Sequence, residues 1–508
     1  MKVKKQGVKI LLSSLFMTVL ISSSICSGTA NAGVSVDLNG DKVVNMSDVI
    51  LLASAFNSVN GDPKYKPAYD LNSDGSINMS DVIILAAKFN TTINDNETVS
   101  IPWDWAGVVG TGQSLAVGAE AGPARATSQP YNNLKISLEN VPIPPLDPTN
   151  SAFKMVPLVE PIRPYGIYNP PGPYPGNIFG ETPHTAMANQ ITSLVRASSG
   201  KDYITVHTVV GESGQGIDCL KKGAVDTGST GRAFAATLFE VKAIERIAAA
   251  AGKTYGVGAI VITHGEKDSG NTSYENELHT LWSDYNQDIK AITGQLQSIP
   301  LILTQQHSCG SSGTSASLYA QWKAGVDYPG DIICSGPNYQ HTYASDGVHM
   351  TASGYEQLGE QYAKVYYEKV VLGHDWQPLQ PTSVEKSGKV ITVNLHVPVP
   401  PLVWDTTLPA PNQNVPEWKN GKGFEVYTQD SKITISSVEI SGNSVKITCA
   451  NDIPASGVKV GFAFTGSGTK RENGTYRWGL LRDSDTFKGA TTGLINPNFC
   501  VSFELPVP

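Results

Sequence analysis

The chain has 508 residues, 16% of them charged and 40% hydrophobic, which is room for two or three domains of ordinary globular composition. Its formal net charge of −8 makes it a poor partner for nucleic acid. Beyond the N-terminal leader, no apolar run is long enough to span a bilayer, so no membrane association is expected.

Lys2, Lys4, Lys5 and Lys9 precede an apolar run from Ile10 to Ile25, and Ala30-Asn31-Ala32 follows as a small-residue cleavage pattern. Residues 1–32 therefore read as a signal peptide, and the mature chain is expected to be secreted and extracellular. Cys26 has Ile25 beside it rather than a small residue, which argues against a lipid anchor. The other cysteines, Cys219, Cys309, Cys334, Cys449 and Cys500, are scattered and odd in number. They suggest neither a disulfide framework nor a zinc site, though one pair remains able to bridge.

Residues 37–57 and 70–90 repeat each other at an offset of 33, with fourteen of twenty-one positions identical. Each repeat opens with oxygen side chains at positions 1, 3, 5 and 12: Asp37, Asn39, Asp41 and Asp48, then Asp70, Asn72, Asp74 and Asp81. A hard cation needs several oxygens brought together by a tight turn, and the carbonyls of Val43 and Ser76 would serve at position 7. Behind the loops, Val49, Leu52 and Phe56, and then Val82, Leu85 and Phe89, recur with helical spacing. The region, residues 33–92, resembles the type I dockerin of cellulosomal enzymes. That resemblance implies a small α-helical module holding two structural calcium ions and a cohesin on a scaffold protein as partner. Lys42 departs from the pattern where the second repeat has Gly75. Met46-Ser47 and Met79-Ser80 stand where the family faces its cohesin. Residues 93–101 then read as a polar, flexible linker.

Val108-Val109-Gly110-Thr111-Gly112-Gln113-Ser114 reads as a short buried strand entering a glycine turn that ends on serine. Tyr203–Val210 is a second strand, leading into Gly211-Glu212-Ser213-Gly214-Gln215-Gly216, a loop able to aim backbone N–H groups at an anion. Residues 231–251 read as helix. Gly258–Thr263 reads as a strand ending on His264-Gly265-Glu266-Lys267-Asp268, Asn276–Ile292 as helix, and Leu301–Thr304 as strand. Alternating strands and helices favour a parallel sheet covered on both faces. Asp346-Gly347-Val348-His349 follows on a loop, with a helix running to about Val371. Asp and His three apart can meet directly, leaving the second imidazole nitrogen for a serine.

Gly112-Gln113-Ser114, Ser213-Gly214, His264–Asp268 and Asp346–His349, in this order, resemble the SGNH (GDSL-like) hydrolases, in particular the sialate O-acetylesterase-like and acetylxylan-esterase-like branch. The resemblance spans about residues 105–372 and implies a three-layer α/β domain over residues 102–375. It implies Ser114 as nucleophile, His349 as base and Asp346 as its orienter, with no cofactor for catalysis. The oxyanion hole would be formed by the Ser114 and Gly214 amides and by His264, which stands where the branch carries glutamine. Leu115 stands where many relatives have asparagine. Glu266 and Asp268 are expected to bond loop amides, and no role is assigned to His307 or His341.

Past Pro381 the pattern changes to short alternating stretches, Val390–Val397, Lys432–Ile435, Ser444–Thr448 and Val458–Phe464, separated by Gly, Pro and Asn. Residues 381–508 are expected to form a β-sandwich-like domain. The whole reads as a cellulosome-associated carbohydrate esterase that removes O-acetyl groups from an acetylated, xylan-like plant polysaccharide. The alternatives are an esterase acting on another acyl ester and a non-catalytic, scaffold-bound carbohydrate-binding protein on a hydrolase fold.

Overall fold

The computed structural model describes residues 36–39, 43–72, 74–86, 88–89, 91–92, 99–138, 145–162, 180–225, 232–307, 313–466 and 469–508. The leader at residues 1–32 lies outside them, as do Asp41, Lys42 and Cys309. The chain divides into two units, Met1–Thr98 and Val99–Pro508.

In the first unit each repeat supplies one helix, α1 (Met46–Ala55) and α2 (Met79–Ala86). Val49, Leu52 and Ala55 of α1 and Leu85 of α2 close a small core with Val44, Tyr69, Leu71 and Ile77. Both helices start in the same way. Asn45 accepts the N–H of Ser47 at 2.7 Å while Asp48 accepts the N–H of Asn45 at 2.8 Å. Asn78 and Asp81 repeat this with Ser80 and Asn78, both at 2.8 Å. Orphan amides at a helix start are satisfied reciprocally by such a box.

The second unit is built on a seven-stranded sheet. Its strands are β1 (Trp105–Gly112), β2 (Leu134–Ser137), β3 (Lys154–Pro157), β4 (Thr205–Gly211), β5 (Tyr255–Thr263), β6 (Leu301–Gln305) and β7 (Ile332–Pro337), in the order β7-β6-β5-β1-β4-β2-β3. All neighbouring pairs are parallel except β2 with the edge strand β3. Strands of a parallel sheet are buried on both faces, and β1, β4 and β5 are buried almost throughout. Alternate residues feed two separate cores. Val108, Ala259, Val261 and Ile302 pack with α3 (Pro183–Ser199) and α7 (Ala352–Tyr366). Val109, Ile260, Ile262 and Leu303 pack on the opposite face with α4 (Ala233–Ala250), α5 (Tyr274–Thr293) and α6 (Ala316–Asp327).

The C-terminal strands form a four-stranded antiparallel sheet, β8 (Gln380–Ser387), β9 (Val390–His396), β11 (Ile435–Ser441) and β12 (Ser444–Cys449), ordered β8-β9-β12-β11. A three-stranded sheet follows in the order β10-β13-β14, from Phe424–Tyr427, Lys459–Phe462 and Phe503–Pro506. Three expectations need correction here. The strand anticipated at Lys432 starts only at Ile435. The C-terminal region is also not a unit of its own: Val393, Phe462, Phe503 and Val507 belong to the same continuous core as Val109 and Ile260. The linker ends early as well, because the N–H of Ser100 bonds the carbonyl of Val371 at 2.9 Å and Ile101 packs on the α3–α7 core.

Candidate active site

Gly112, Gly211 and Thr263 stand side by side at the carboxyl ends of β1, β4 and β5. The chain crosses from one flank of β1 to the other between β4 and β5, and such a switch point opens a crevice outside the carboxyl ends of the strands. Three of the sequence-selected segments begin there: Gln113-Ser114 after β1, Glu212–Gly216 after β4 and His264–Asp268 after β5. The fourth, Asp346–His349, lies between β7 and α7. Gly112 has a φ of +140°, and a Cβ placed on it would lie 2.1 Å from the carbonyl oxygen of Thr263, so only glycine fits this turn.

The structure brings Ser114, His349 and Asp346 together. His349 Nε2 lies 2.8 Å from Ser114 Oγ, and His349 Nδ1 lies 2.6 Å from Asp346 Oδ2. The other carboxylate oxygen, Oδ1, accepts the N–H groups of Val348 and His349 at 2.9 and 3.0 Å. Burial pushes the Asp346 carboxyl up, but the His349 ring and these two amides outweigh it and hold the group below the usual aspartate range. An ionised Asp346 only accepts, so Nδ1 carries the imidazole proton and Nε2 turns its lone pair to Ser114. The His349 and Asp346 side chains are 20% and 40% exposed, so the site opens to solvent.

The loop after β4 is tied at both ends. Glu212 accepts from Arg232 Nε at 2.8 Å and from the N–H of Ala233 at 3.0 Å. The N–H of Gln215 turns back to the Glu212 carbonyl at 3.2 Å. Gly214, at the exposed tip, has a φ of +72°. Among the described residues, the backbone N–H groups of Ser114 and Gly214 have no partner.

His264 does not meet the expectation placed on it. Its Nε2 lies 3.0 Å from the carbonyl oxygen of Gln215, and its Nδ1 lies 2.8 Å from the Tyr274 hydroxyl. A carbonyl only accepts, so the single N–H of the neutral ring goes to Gln215, and Nδ1 accepts from Tyr274. No donor remains for an oxyanion. The ring is buried, and burial keeps it neutral by lowering its pKa, an effect that the Gln215 carbonyl and Asp268 partly offset. Asp268 in turn accepts the N–H of Ile217 at 2.9 Å. His264 and Asp268 therefore pin the segment Gln215–Ile217, which leaves His264 as a support of the loop that carries Gly214. Tyr274 was invisible as a partner because it stands in the first turn of the next helix.

His307 and His341 are buried, and both of their ring nitrogens are occupied. His307 bonds Asn338, the Gln305 carbonyl and Ser502, and His341 bonds Gln357 and Gln361. Neither faces Ser114.

In the first unit, the aspartate at position 12 closes each loop. Asp48 accepts the N–H groups of Leu38, Asn39 and Asn45 at 2.8, 3.3 and 2.8 Å. Asp81 accepts those of Leu71 and Asn78 at 2.7 and 2.8 Å. Both carboxylates are fully buried. In the second loop, Asp70 accepts from Gly75 at 2.8 Å and Asp74 from Ser76 at 2.8 Å, with Gly75 left-handed at φ +86°. The donor set is all hard oxygen on one tight turn, which suits calcium. Among the described residues, no three acidic, histidine or cysteine side chains already converge into a closed metal cage. Asp37, Asn39 and Val43 of the first loop are described, and Asp41 is not.

Residues 35–90 match the type I dockerin family, so this part of the chain is a type I dockerin domain. Domains of this type bind calcium. No curated protein matches the chain closely enough to count as a relative. Among solved structures, a carbohydrate acetylesterase from Xanthomonas citri is similar at 12% identity and a TM-score of 0.48, over 79% of this chain and 80% of its own. A carbohydrate acetylesterase from Sinorhizobium meliloti is similar at 11% identity and a TM-score of 0.24, over 51% of this chain and 97% of its own. A type II cohesin–dockerin domain from Bacteroides cellolosolvens is similar at 45% identity and a TM-score of 0.10, over 12% of this chain and 90% of its own. No helix among the described residues is long and apolar enough to cross a membrane.

Proposed function

We propose that residues 99–508 form an SGNH-type serine esterase of three-layer α/β architecture that removes O-acetyl groups from a plant polysaccharide such as acetylated xylan. The observation that carries this reading is the unbroken hydrogen-bonded line Asp346–His349–Ser114 at the carboxyl edge of the sheet. Ser114 Oγ attacks the ester carbonyl carbon and passes its proton to His349 Nε2. Asp346 holds the Nδ1 proton and stabilises the imidazolium. The carbonyl oxygen becomes an alkoxide facing the amides of Ser114 and Gly214, which are fixed donors for charge that exists only past the ground state. Collapse expels the sugar hydroxyl with the proton from His349, and water then cleaves the acetyl-serine by the same route. Every catalytic group in these steps belongs to the protein, and no cofactor is assigned to them.

The dockerin places this chemistry in context. In this reading it holds two calcium ions, through Asp37, Asn39, Asp41, Asp48 and the Val43 carbonyl in one loop and Asp70, Asn72, Asp74, Asp81 and the Ser76 carbonyl in the other. It docks to a cohesin, which sets the enzyme outside the cell among polysaccharide-degrading partners. The deciding experiment is release of acetate from acetylated xylan by the full chain and by Ser114→Ala. Acetate release by the unaltered chain that disappears in the variant supports the reading; equal release by both, or by neither, rejects it.

A further inference from the structure

The loop that carries Asp346 and His349 joins β7 to α7. Its own bonds are local: the N–H of Ala344 reaches the His349 carbonyl at 2.8 Å, and the N–H of Gly347 reaches the Ala344 carbonyl at 3.0 Å. These shape the turn without locating it over Ser114. Tyr343 and Met350 anchor its two ends in the α3–α7 core, and further anchors come from far along the chain. The Arg471 guanidinium donates to the carbonyls of Tyr339 and His341 at 2.7 and 3.3 Å. The N–H of Tyr343 bonds the carbonyl of Asn473 at 3.1 Å. Lys470 Nζ donates to the carbonyl of Ser345 at 2.9 Å. Its stem lies so close to Gly347 that a Cβ there would meet Lys470 Cδ at 2.4 Å. One short segment thus grips the loop at residues 339, 341, 343, 345 and 347, ending beside Asp346.

The segment is itself rigid. The N–H groups of Arg471 and Gly474 close a turn onto the Thr475 and Arg471 carbonyls at 3.0 and 3.1 Å. The Arg471 side chain folds back over Gly474, where a Cβ would lie 2.3 Å from its Nε. Arg471 is 9% exposed, so its charge is spent on carbonyls of the loop rather than on solvent. Further along, buried Arg477 bonds the Phe464 carbonyl at 2.9 Å and ties the turn to the three-stranded C-terminal sheet.

We infer that Arg471 is a positioning residue of the esterase: with Lys470 and Asn473 it holds the Asp346–His349 loop at hydrogen-bonding distance from Ser114, so the C-terminal sheets belong to the catalytic apparatus. This rests on the assignment of Ser114 and His349 above. A guanidinium bonding two carbonyls fixes a direction as well as a distance, which an ammonium does less well. Misplacing a base by about 1 Å costs on the order of a hundred-fold in rate.

The test uses the full chain with p-nitrophenyl acetate, measuring kcat, KM and thermal midpoint for Arg471→Gln, Arg471→Lys and Lys470→Met, with Ser114→Ala as reference. Arg471→Gln should lower kcat by about ten- to a hundred-fold with KM within about three-fold, and Arg471→Lys should recover part of the loss. A folded Arg471→Gln with kcat within two-fold of the unaltered chain overturns the inference. If Arg471→Gln does not fold, Lys470→Met decides, because that residue is only half-buried and its bond to Ser345 lies at the surface: a several-fold fall in kcat at unchanged midpoint supports the inference, and an unchanged kcat overturns it. If Ser114→Ala keeps its activity, the assignment of the site has failed instead, and the two failures are told apart.

Discussion

His264 gives its only N–H to the carbonyl of Gln215, at 3.0 Å, and so braces the backbone beside Gly214. A brace and an oxyanion donor fail differently. His264→Ala should lower the thermal midpoint, since it opens a cavity and strands a half-buried carbonyl, together about 2–4 kcal/mol. Turnover should fall with it, because the Gly214 loop loosens. Tyr274→Phe removes only the second bond of the ring and should cost about 1 kcal/mol with kcat within a few-fold. A His264→Ala protein with full stability and kcat down roughly a hundred- to a thousand-fold would restore the direct role.

Ser114→Ala and His349→Ala should each remove nearly all hydrolysis of p-nitrophenyl acetate, and the double variant should be hardly worse, because the two act as one unit. Asp346→Asn should cost several orders of magnitude, since the amide donates where Asp346 accepts and turns the imidazole to the wrong tautomer. Additive losses in the double variant would argue against the assignment.

Glu356 should contribute a loss of stability as pH rises through neutrality, as should Glu160, whose carboxyl is pushed up to about 8 by burial. Glu356, on α7, is 2% exposed and faces Arg125 at 3.3 Å. Burial pushes its carboxyl up to about 7; Arg125 pulls against it, and the charges of Glu181 and Glu360 add to it. The folded protein therefore holds a proton that the unfolded chain has already released. Its contribution is complete below the ordinary glutamate range and is lost as pH climbs to about 7. The thermal midpoint of Glu356→Gln, relative to that of the unaltered chain, should therefore rise from acidic to mildly alkaline buffer. A difference that does not change with pH would remove Glu356 from the pH dependence.

Calcium removal should act on the dockerin alone. Its loops gather carboxylates that repel without a cation, so EDTA should reduce the helical circular dichroism of residues 33–92. Asp81→Ala strands the amides of Leu71 and Asn78 and should abolish the calcium response of the second loop. Hydrolysis of p-nitrophenyl acetate by the full chain should be indifferent to EDTA; a chelator-sensitive kcat would contradict an esterase that works without metal.

Ser114 and His349 were legible because each announces itself locally, one at the end of an apolar run with a glycine turn, the other three residues from its carboxylate. The repeat around Asp48 and Asp81 was legible for the same reason. α3 was not read, although Met187, Ile191 and Val195 fall on one stripe, because buried His184, Asn189 and Gln190 interrupt the contrast that marks an amphipathic helix. β7 opens with only Ile332-Ile333-Cys334 before Ser335-Gly336-Pro337, too short a run to carry a period. The bonds of His264 depend on Gln215 and Tyr274, and those of the Asp346 loop on Arg471. Spacing along the chain encodes none of these pairings.

The core that starts at Val109 is not closed until Phe503 and Val507 join it. During synthesis, the helical layer over one face of the parallel sheet must wait for these partners, Phe503 against Trp322 of α6 among them, until the last residues of the second unit are made. Contacts of such long range are slow to form and leave apolar surface open to aggregation in the meantime. The dockerin, whose contacts are local, is under no such delay. A stalled or nicked product should therefore retain its docking module and lack a working hydrolase, and such fragments would occupy scaffold positions without contributing turnover.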